Sequence, residues 1–299
     1  MTDNWTTNNI PDLTGRVAIV TGANSGIGYE TAKAMAEKDA TVVMACRNLD
    51  KANVAADQIR QAVSDANLDI IHLDLADLAS VRKFADDFNA RYDRLDWLIN
   101  NAGIMIPPLT KTTDGFEVQF GANHLGHFAL TGHLLETMVK TPEARIINVS
   151  SSAHSRGTIN FDNLNAEQGY SPGGAYSQSK LANLLFTLEL NRRLREIGAN
   201  VMATSAHPGW TVTGLQRGFV LALSRVFGQS PPMGALPTLR AAIDPDAEPN
   251  DYYGPAGMME MRGYPVKVDS ISAAKDPELA QRLWRVSEDL TQVQYKQFN

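Results

Sequence analysis

The fold of this 299-residue chain is decided by the stretch Val17-Ala-Ile-Val-Thr-Gly-Ala-Asn-Ser-Gly-Ile-Gly28. Its first four residues are all apolar and predict a short strand, Val17–Val20, that is buried on both faces. The three glycines that follow predict a sharp turn where backbone approaches a ligand closely and the next helix packs tightly. That helix, predicted at Ile27–Lys38, would direct its free N–H groups and positive dipole end at a phosphate. A strand, a glycine turn and a helix in this order predict a dinucleotide site.

Apolar runs and helical patterns alternate along the first two thirds of the chain. Further strands are predicted at Thr41–Ala45, Asp69–Leu73, Trp97–Ile99, Arg145–Val149 and Asn200–Ser205. Further helices are predicted at Asp50–Val63, Ser80–Tyr92, around Val118–Val139 and at Ala175–Glu196. This alternation predicts an α/β fold, a Rossmann-like doubly wound parallel sheet with helices on both faces. Ligands bind such sheets at the carboxyl ends of the strands.

Domain organisation is predicted to be simple. The loop-like stretches Thr158–Gly174 and Asp244–Lys267 are rich in Gly, Pro, Asn and Asp, and neither separates two cores. Residues 1–299 are therefore predicted to form one domain, with residues 1–14 as an N-terminal arm. In the less regular C-terminal third, Asp276–Thr291 is predicted to be a last amphipathic helix.

An apolar stripe precedes that last helix. Leu215, Phe219, Leu223 and Phe227 recur every four residues, which indicates one helix face. The stripe fits two interpretations, packing in the core or a helical lid over the substrate at about residues 209–233.

Composition excludes several classes of partner. The formal charge is −6 and no block of Lys and Arg is present, so nucleic acid is not an expected partner. Cys46 is the only cysteine, which rules out an intrachain disulfide and fits a reducing cytosol. Met1–Gly15 is polar, and no segment approaches the roughly 18 consecutive apolar residues of a spanning helix. We therefore expect a cytoplasmic protein without a membrane span.

The end of the second predicted strand bears on cofactor choice. An NAD site would place Asp or Glu there for the ribose 2′-hydroxyl, whereas this chain has Arg47, with Ser25 and Lys51 as possible helpers. A guanidinium suits a 2′-phosphate, so the sequence favours NADP(H). The alternative is that Arg47 is a solvated surface residue. From the residues alone, the predicted cofactor contacts are Gly22, Asn24, Ser25, Gly26, Ile27, Gly28, Arg47, Asn48, Asp74, Leu75, Asn101, Ala102, Gly103, Tyr176 and Lys180.

Tyr176 and Lys180 are four residues apart and share one face of a predicted helix. We expect the ammonium, together with an oxidised nicotinamide ring, to lower the pKa of the phenol. Ser150 or Ser151, at the end of the preceding strand, is placed to donate to a substrate oxygen. The pair Tyr29 and Lys33 has the same spacing, but its helix start is already committed to phosphate. A carbonyl–alcohol conversion is therefore predicted at Tyr176.

Asn123 lies inside the long helix predicted around Val118–Val139, where Asn is disfavoured. It is interpreted either as holding a water that links Lys180 to solvent or as a buried amide satisfied locally. His124 and His127 are three residues apart, but no carboxylate or thiol pattern joins them, so no metal is expected.

These motifs resemble the classical short-chain dehydrogenases/reductases over roughly Pro11 to Thr213, and most closely their retinol-dehydrogenase-like branch, which includes the WW-domain-containing oxidoreductases. The family motifs are Thr21–Gly28, Asn100–Gly103, Asn123, Val149–Ser152, Tyr176–Lys180 and Pro208-Gly209. The branch motifs are Ala45-Cys-Arg47, Asn123-His-Leu-Gly-His-Phe128 and Ser179-Lys-Leu-Ala-Asn-Leu-Leu-Phe186.

The resemblance implies a catalytic set of Asn123, Ser151, Tyr176 and Lys180, and it favours Ser151 over Ser150. It also implies cofactor contacts at Pro208, Gly209 and Thr213, and it marks Ser152–Ala175 as an insertion beside the active site.

The resulting expectation is an NADP(H)-dependent oxidoreductase that interconverts an alcohol and a carbonyl, with a bulky apolar ketone or aldehyde as its small-molecule substrate. Two rivals remain: a non-catalytic dinucleotide-binding sensor or scaffold, and a nucleotide-sugar epimerase or dehydratase. Whether the protein is a monomer or a homo-oligomer stays open.

Overall fold

The strand predicted at Val17–Val20 lies near the middle of an eight-stranded sheet. A computed structural model of the chain describes residues 4–211, 228–257 and 259–298. The strands are β1 Val17–Thr21, β2 Thr41–Cys46, β3 Leu68–His72, β4 Trp97–Asn100, β5 Ala144–Val149, β6 Val201–Ala206, β7 Tyr252–Gly257 and β8 Arg262–Lys267. Five residues of β1 are buried without alternation, as expected for a strand covered on both faces.

The helices pack on the two faces of this sheet. They are α1 Gly26–Ala36, α2 Leu49–Ala62, α3 Leu78–Asn89, α4 at residues 118–140, α5 Pro172–Glu196, α6 Pro231–Ile243 and α7 Pro277–Thr291. One π-helical turn, Gly121–Leu125, interrupts α4 between Val118–Phe120 and Gly126–Lys140. Side chains of β1 alternate between two cores: Val20 packs with α1, α2 and α6, and Ile19 packs with α3, α4 and α5.

The strand order is β3-β2-β1-β4-β5-β6-β7-β8, and the order reverses between β1 and β4. Every pair from β3 to β7 is parallel, which confirms the doubly wound α/β fold. Only the edge pair of β7 and β8 departs from the expectation, because it is antiparallel. The carboxyl ends of β1 and β4 therefore meet at the switch point where ligands bind in such sheets.

Three elements in the C-terminal third were not predicted from the sequence. Asp244–Lys267 is not a loop, because β7 and β8 lie within it. Both strands contain glycine and proline, and β8 is a mostly exposed edge strand, where proline is tolerated. Helix α6 was hidden because it begins with two prolines and holds Pro237 in its interior.

The predicted lid lies largely outside the described residues. That applies to Thr213 and to the stripe of Leu215, Phe219, Leu223 and Phe227. Its described flanks are not helical before α6 begins: Thr211 and Gln229 form an isolated parallel bridge. Within the ranges described, no helix has the length and apolar character needed to cross a bilayer.

Candidate active site

The glycine turn forms one end of a cleft. Gly22 has φ +69°, a conformation that side-chain-bearing residues rarely adopt. A Cβ at Gly28 would lie 2.4 Å from the Gly22 carbonyl oxygen, so only glycine permits this packing. Helix α1 begins at Gly26, and the side chain of its N-cap, Ser25, makes no capping hydrogen bond. The first N–H groups of α1 are therefore free of a side-chain cap and suit a phosphate.

Thr21 ties the glycine turn to the end of β4. Its hydroxyl oxygen accepts from the main-chain N–H groups of Asn101 and Ala102, each at 2.9 Å, and the Asn101 side-chain amide donates to the Thr21 carbonyl at 2.8 Å. Because these bonds join β1 to β4 at the switch point, they fix the floor of the cleft.

His127 completes this arrangement from α4. Its Nδ1–H donates to the carbonyl of Asn123 at 3.1 Å, since a carbonyl can only accept. Its Nε2 therefore accepts from the Thr21 hydroxyl at 3.0 Å. Burial lowers the pKa of His127 to about 4, so the ring is neutral at pH 7. Sequence reasoning assigned His127 to packing and missed this bond; a threonine at a strand end was the only available signal.

The cleft has a volume of about 1080 Å³, slightly above the usual range for ligand sites. Among the predicted cofactor contacts, those that line it are Gly22, Asn24, Ser25, Gly26, Ile27, Gly28, Arg47, Asn48, Asp74, Leu75, Asn101, Ala102, Gly103, Tyr176, Lys180 and Pro208. Lys51, the expected helper of Arg47, and Ser150, one of the two candidate serines, also line it. The remaining lining residues were not predicted as cofactor contacts; they are Ala45, Asp50, Val54, Ala55, Gln58, Leu73, Ile104, Ala122 and Val149. Gly209 lies one residue beyond the lining residue Pro208.

Two cations and two carboxylates line the end of the cleft near β2. Arg47 is exposed and has no ion-pair partner among the described residues. Lys51 is the second cation, and Asp50 and Asp74 are the carboxylates. The side chain of Asn48 is already used, because its oxygen caps α2 by accepting from the Lys51 N–H at 2.8 Å. Arg47 therefore has a guanidinium available to a ligand.

Tyr176 and Lys180 lie at the other end of the cleft, in the first turns of α5. The Lys180 Nζ lies 5.7 Å from the centroid of the Tyr176 ring and donates to the Val149 carbonyl at 3.0 Å. Burial lowers the pKa of Lys180 to about 8. The predicted lowering of the Tyr176 pKa is wrong for the protein alone, because burial raises it and the hydrogen bond with Ser151 only partly opposes that rise. The phenol therefore stays protonated at neutral pH.

The structure separates the two candidate serines. The Ser150 hydroxyl is buried and donates to the Lys180 carbonyl at 2.9 Å. The Ser151 hydroxyl lies close enough to Tyr176 to oppose the rise in the pKa of the phenol, and it accepts from the Ala153 N–H at 3.2 Å. Ser150 thus joins β5 to α5, whereas Ser151 retains a hydroxyl proton beside the phenol.

The side chain of Asn123 is buried and is hydrogen-bonded to groups distant in sequence. Its side-chain oxygen accepts from the Ile104 N–H at 2.7 Å, and its amide nitrogen donates to the Ile104 carbonyl at 2.9 Å and to the Ser179 hydroxyl at 3.0 Å. Because these protein groups engage both ends of the amide, its side chain holds the segment after β4 against α4. A catalytic role for Asn123 stays a prediction.

The remaining candidates lie apart from this chemistry. Tyr29 packs against the core, and Lys33 pairs with Glu37 at the C-terminal end of α1, so neither side chain takes part in the grouping around Tyr176. His124 donates through Nε2 to the Ser287 hydroxyl at 2.9 Å, since that hydroxyl itself donates to a carbonyl. Among the described residues, no group of three His, Cys, Asp or Glu side chains is arranged to hold a metal.

Comparison with known proteins agrees with this geometry. A family model described as short chain dehydrogenase matches residues 16–222. The chain is 41% identical to mouse (Mus musculus) retinol dehydrogenase 12 over 291 residues, which covers 95% of this chain and 89% of the relative. It is 48% identical to mouse retinol dehydrogenase 11 over 236 residues, 77% of this chain and 74% of the relative.

A solved structure of a protein from Mycobacterium Paratuberculosis is similar along nearly the whole chain. The TM-score is 0.84 at 41% identity, with 98% of this chain and 99% of the other covered. The fold, the matched segment and these relatives show that the chain belongs to the short-chain dehydrogenase/reductase family, in its retinol-dehydrogenase-like branch.

Proposed function

We propose that this protein is an NADP(H)-dependent oxidoreductase that interconverts an alcohol and a carbonyl by reducing a bulky apolar ketone or aldehyde. The observation that supports the reaction is that Tyr176 and Lys180 line one end of a cleft that begins at the glycine turn, with Ser151 beside the Tyr176 phenol. Members of this family are oxidoreductases that bind a nicotinamide dinucleotide, so the proposal adds the residue roles, the choice of dinucleotide and the substrate class.

The cleft fits a dinucleotide along its length. The uncapped start of α1 and the close contact of Gly28 with Gly22 leave room for a pyrophosphate. Arg47 and Lys51 would hold the adenosine half, and Lys180 and Pro208 border the nicotinamide half. When bound, the nicotinamide supplies the hydride that the carbonyl carbon receives.

The protein's own groups handle the proton and the orientation of the substrate. Tyr176 is protonated at neutral pH and gives its phenolic proton to the carbonyl oxygen. Ser151 donates a hydrogen bond to the same oxygen and so stabilises the charge that develops there. Lys180, with an ammonium near the ring, stabilises the phenolate that remains. In the reverse direction the phenolate removes the alcohol proton.

Steady-state dinucleotide oxidation with a panel of carbonyl compounds tests the reaction. The panel contrasts bulky aromatic and long-chain carbonyls with acetone. We expect turnover of the bulky compounds with NADPH. Binding of NADPH without turnover of any compound would indicate the sensor or scaffold and contradict the proposed reaction.

The substrate class is supported by the apolar segment after β4. Ile104 of this segment lines the cleft together with the apolar side chains of Ala122 and Val149. Each buried methylene contributes about 0.8 kcal/mol, so a large carbonyl gains affinity by covering them. If acetone reaches the same kcat/KM as the bulky members, this substrate class is wrong.

The choice of NADP(H) is supported by the unpaired guanidinium of Arg47. Arg47→Asp should raise the Kd of NADPH by roughly tenfold or more, since a charge-assisted hydrogen bond contributes about 1.5–3 kcal/mol. The affinity for NADH should rise relative to NADPH. Fluorescence titration measures both, and Arg60→Asp, on the same stretch of chain but outside the cleft lining, is the matched control. Equal affinity of the wild type for NADH and NADPH would contradict the proposal.

A further inference from the structure

His207 follows β6 directly and is fully buried. Its Nδ1 accepts from the Gly209 main-chain N–H at 3.3 Å, so the ring proton lies on Nε2. That Nε2–H donates to the Glu260 carboxylate at 2.9 Å. Glu260 lies in the connection between β7 and β8; residues 259–261 of this connection are called the hairpin tip below. The His207 side chain therefore joins the hairpin tip to the turn that follows β6.

The hairpin tip is held in a conformation that its residues do not favour. Met259 and Glu260 have φ values of 56° and 58° in succession. Hairpins that need two successive positive φ angles usually have Asn-Gly or Gly-Gly at these positions, because larger residues are strained there. Strain of this kind persists only where surrounding contacts fix it, and it concentrates at functional sites. The bond to His207 is such a contact.

The turn that His207 holds borders the chemistry. Pro208 lines the cleft, as Tyr176 and Lys180 do. The hairpin tip also contacts this turn through its backbone, since the Trp210 N–H donates to the Met261 carbonyl at 2.8 Å. A Cβ at Gly209 would lie 2.5 Å from that same carbonyl oxygen. Hairpin tip and turn are therefore packed without a gap, and movement of one displaces the other.

The hairpin reaches the serine side of the site as well. The ring of Tyr252, from β7, packs against His207 at 5.2 Å and His154 at 5.5 Å between centroids. The Nδ1–H of His154 donates to the Ser151 carbonyl at 2.7 Å. The strand that leads into the strained tip thus also contacts the segment that holds Ser151.

We propose that Glu260 is a positioning residue that acts through His207 to hold the Pro208-Gly209 turn in place for the nicotinamide half of the dinucleotide. The inference rests on the proposed function. By accepting the Nε2 proton, Glu260 keeps Nδ1 of His207 free to accept from Gly209. Without that acceptor, the Nε2–H of the buried ring is left unpaired, and a shift of the proton to Nδ1 would instead set two donors, Nδ1–H and the Gly209 N–H, against each other. In either tautomer the ring loses a contact that fixes it, and the turn is held less firmly.

Three variants distinguish a positioning role of Glu260 from a general contribution of the hairpin to stability. Glu260→Ala removes the acceptor, whereas Glu260→Gln keeps an oxygen that can accept from Nε2. Lys267→Ala is the control, because it breaks another ion pair of the hairpin, with Asp251, away from the Pro208-Gly209 turn. The two probes are NADPH and adenosine 2′,5′-bisphosphate, which lacks the nicotinamide half. Titration gives a Kd for each, and nitrogen-15 NMR of the His207 ring reports which nitrogen carries the proton.

Glu260→Ala should raise the Kd of NADPH about tenfold, the equivalent of one hydrogen bond, and leave the Kd of the bisphosphate unchanged. The wild-type spectrum should show the His207 proton on Nε2, and a proton on Nδ1 would contradict the arrangement on which the inference rests. Glu260→Gln should bind NADPH within about threefold of wild type, and Lys267→Ala should match wild type. Equal weakening of both probes, no rescue by Gln, or an effect of Lys267→Ala as large as that of Glu260→Ala would overturn the inference. Failure of the wild type to bind either probe would overturn the proposed function together with it.

Discussion

Lys180 keeps an ammonium group in a buried site, and no carboxylate among the described residues pairs with it. Its hydrogen-bond acceptor is a main-chain carbonyl, that of Val149, which the Asn183 amide also contacts at 3.1 Å. Burial without a counter-charge disfavours the ammonium, which is why the pKa falls from 10.5 to about 8. Such a residue destabilises the fold at neutral pH, so its presence indicates a function.

Lys180→Met should therefore stabilise the protein while it abolishes turnover. The folded-state pKa lies below the unfolded value, so the folded protein is penalised below about pH 8 and the penalty fades as pH rises towards 10.5. The melting temperature of the variant should exceed that of wild type by a few degrees at pH 7, with little difference at pH 10. Calorimetry at the two pH values measures this. A lower melting temperature at pH 7 would show that the Val149 contact outweighs the burial penalty.

The two serines should respond differently to removal of the hydroxyl. Ser151→Ala should lower kcat by roughly 10²–10³-fold, the usual loss for a donor to a developing oxyanion. Ser150→Ala should mainly lower stability, by about 1 kcal/mol, because it removes the bond to the Lys180 carbonyl. Steady-state kinetics and urea denaturation of both variants are the measurements. The reverse pattern would transfer the catalytic role to Ser150.

Sequence spacing predicted which side chains meet at this site but not their chemical state. The four-residue step from Tyr176 to Lys180 fixes a shared helix face, and strand order brings Val149–Ser152 alongside. The spacing left Ser150 and Ser151 undecided, because neighbouring residues at a strand end differ only in which group each hydroxyl contacts. The pKa of Tyr176 was misjudged because burial is set by the packing of residues distant in sequence.

At the scale of elements, the π-helical turn Gly121–Leu125 changes what α4 contributes. It places the carbonyl of Asn123 against His127 and, through that ring, connects α4 to Thr21 at the end of β1. Turns of this kind within α-helices are frequent at functional sites. The Thr21 hydroxyl is thus shared by β1, β4 and α4.

Thr21→Val should loosen this junction. It leaves the Ala102 N–H without its acceptor and removes one of the two acceptors of the Asn101 N–H, which keeps the Ile99 carbonyl at 2.9 Å. The free energy of unfolding should fall by about 1–3 kcal/mol. Thr31→Val is the matched control, since the buried Thr31 hydroxyl has no hydrogen-bond partner among the described residues and its loss should be neutral or stabilising. Urea denaturation measures both variants. Equal effects at the two positions would show that the junction adds no stability.

The elements that the sequence predicted are those whose residues satisfy local preference and burial together. Strand β1 is an unbroken apolar run buried on both faces, and α1 follows its glycine turn directly. Helix α6 and strands β7 and β8 were missed because proline and glycine within them argue against regular structure. Tertiary packing overrides that preference: Leu239 of α6 and Tyr253 of β7 are both buried in the core.

Over the whole molecule, the candidate site is assembled from segments distant in sequence at one edge of one sheet. The ends of the six strands from β1 to β6 all reach the cleft. This convergence follows from parallel topology and was predictable from the order of strands and helices. The contact between the β7–β8 hairpin and the turn after β6 was not predictable. It depends on a hydrogen bond from the buried His207 ring to Glu260, which lies in a strained backbone conformation.

The central claim is that Tyr176 delivers the proton to a carbonyl held over a bound dinucleotide. Tyr176→Phe keeps the ring and its packing and removes only the phenolic proton, so NADPH should bind as it does to wild type. The measurement is steady-state NADPH oxidation with a carbonyl that the wild type reduces. Turnover should fall by at least roughly 10²–10⁴-fold. The control is Tyr29→Phe on α1, because Tyr29 also has a lysine four residues later; this variant should leave turnover unchanged. Near wild-type kcat for Tyr176→Phe would contradict the account.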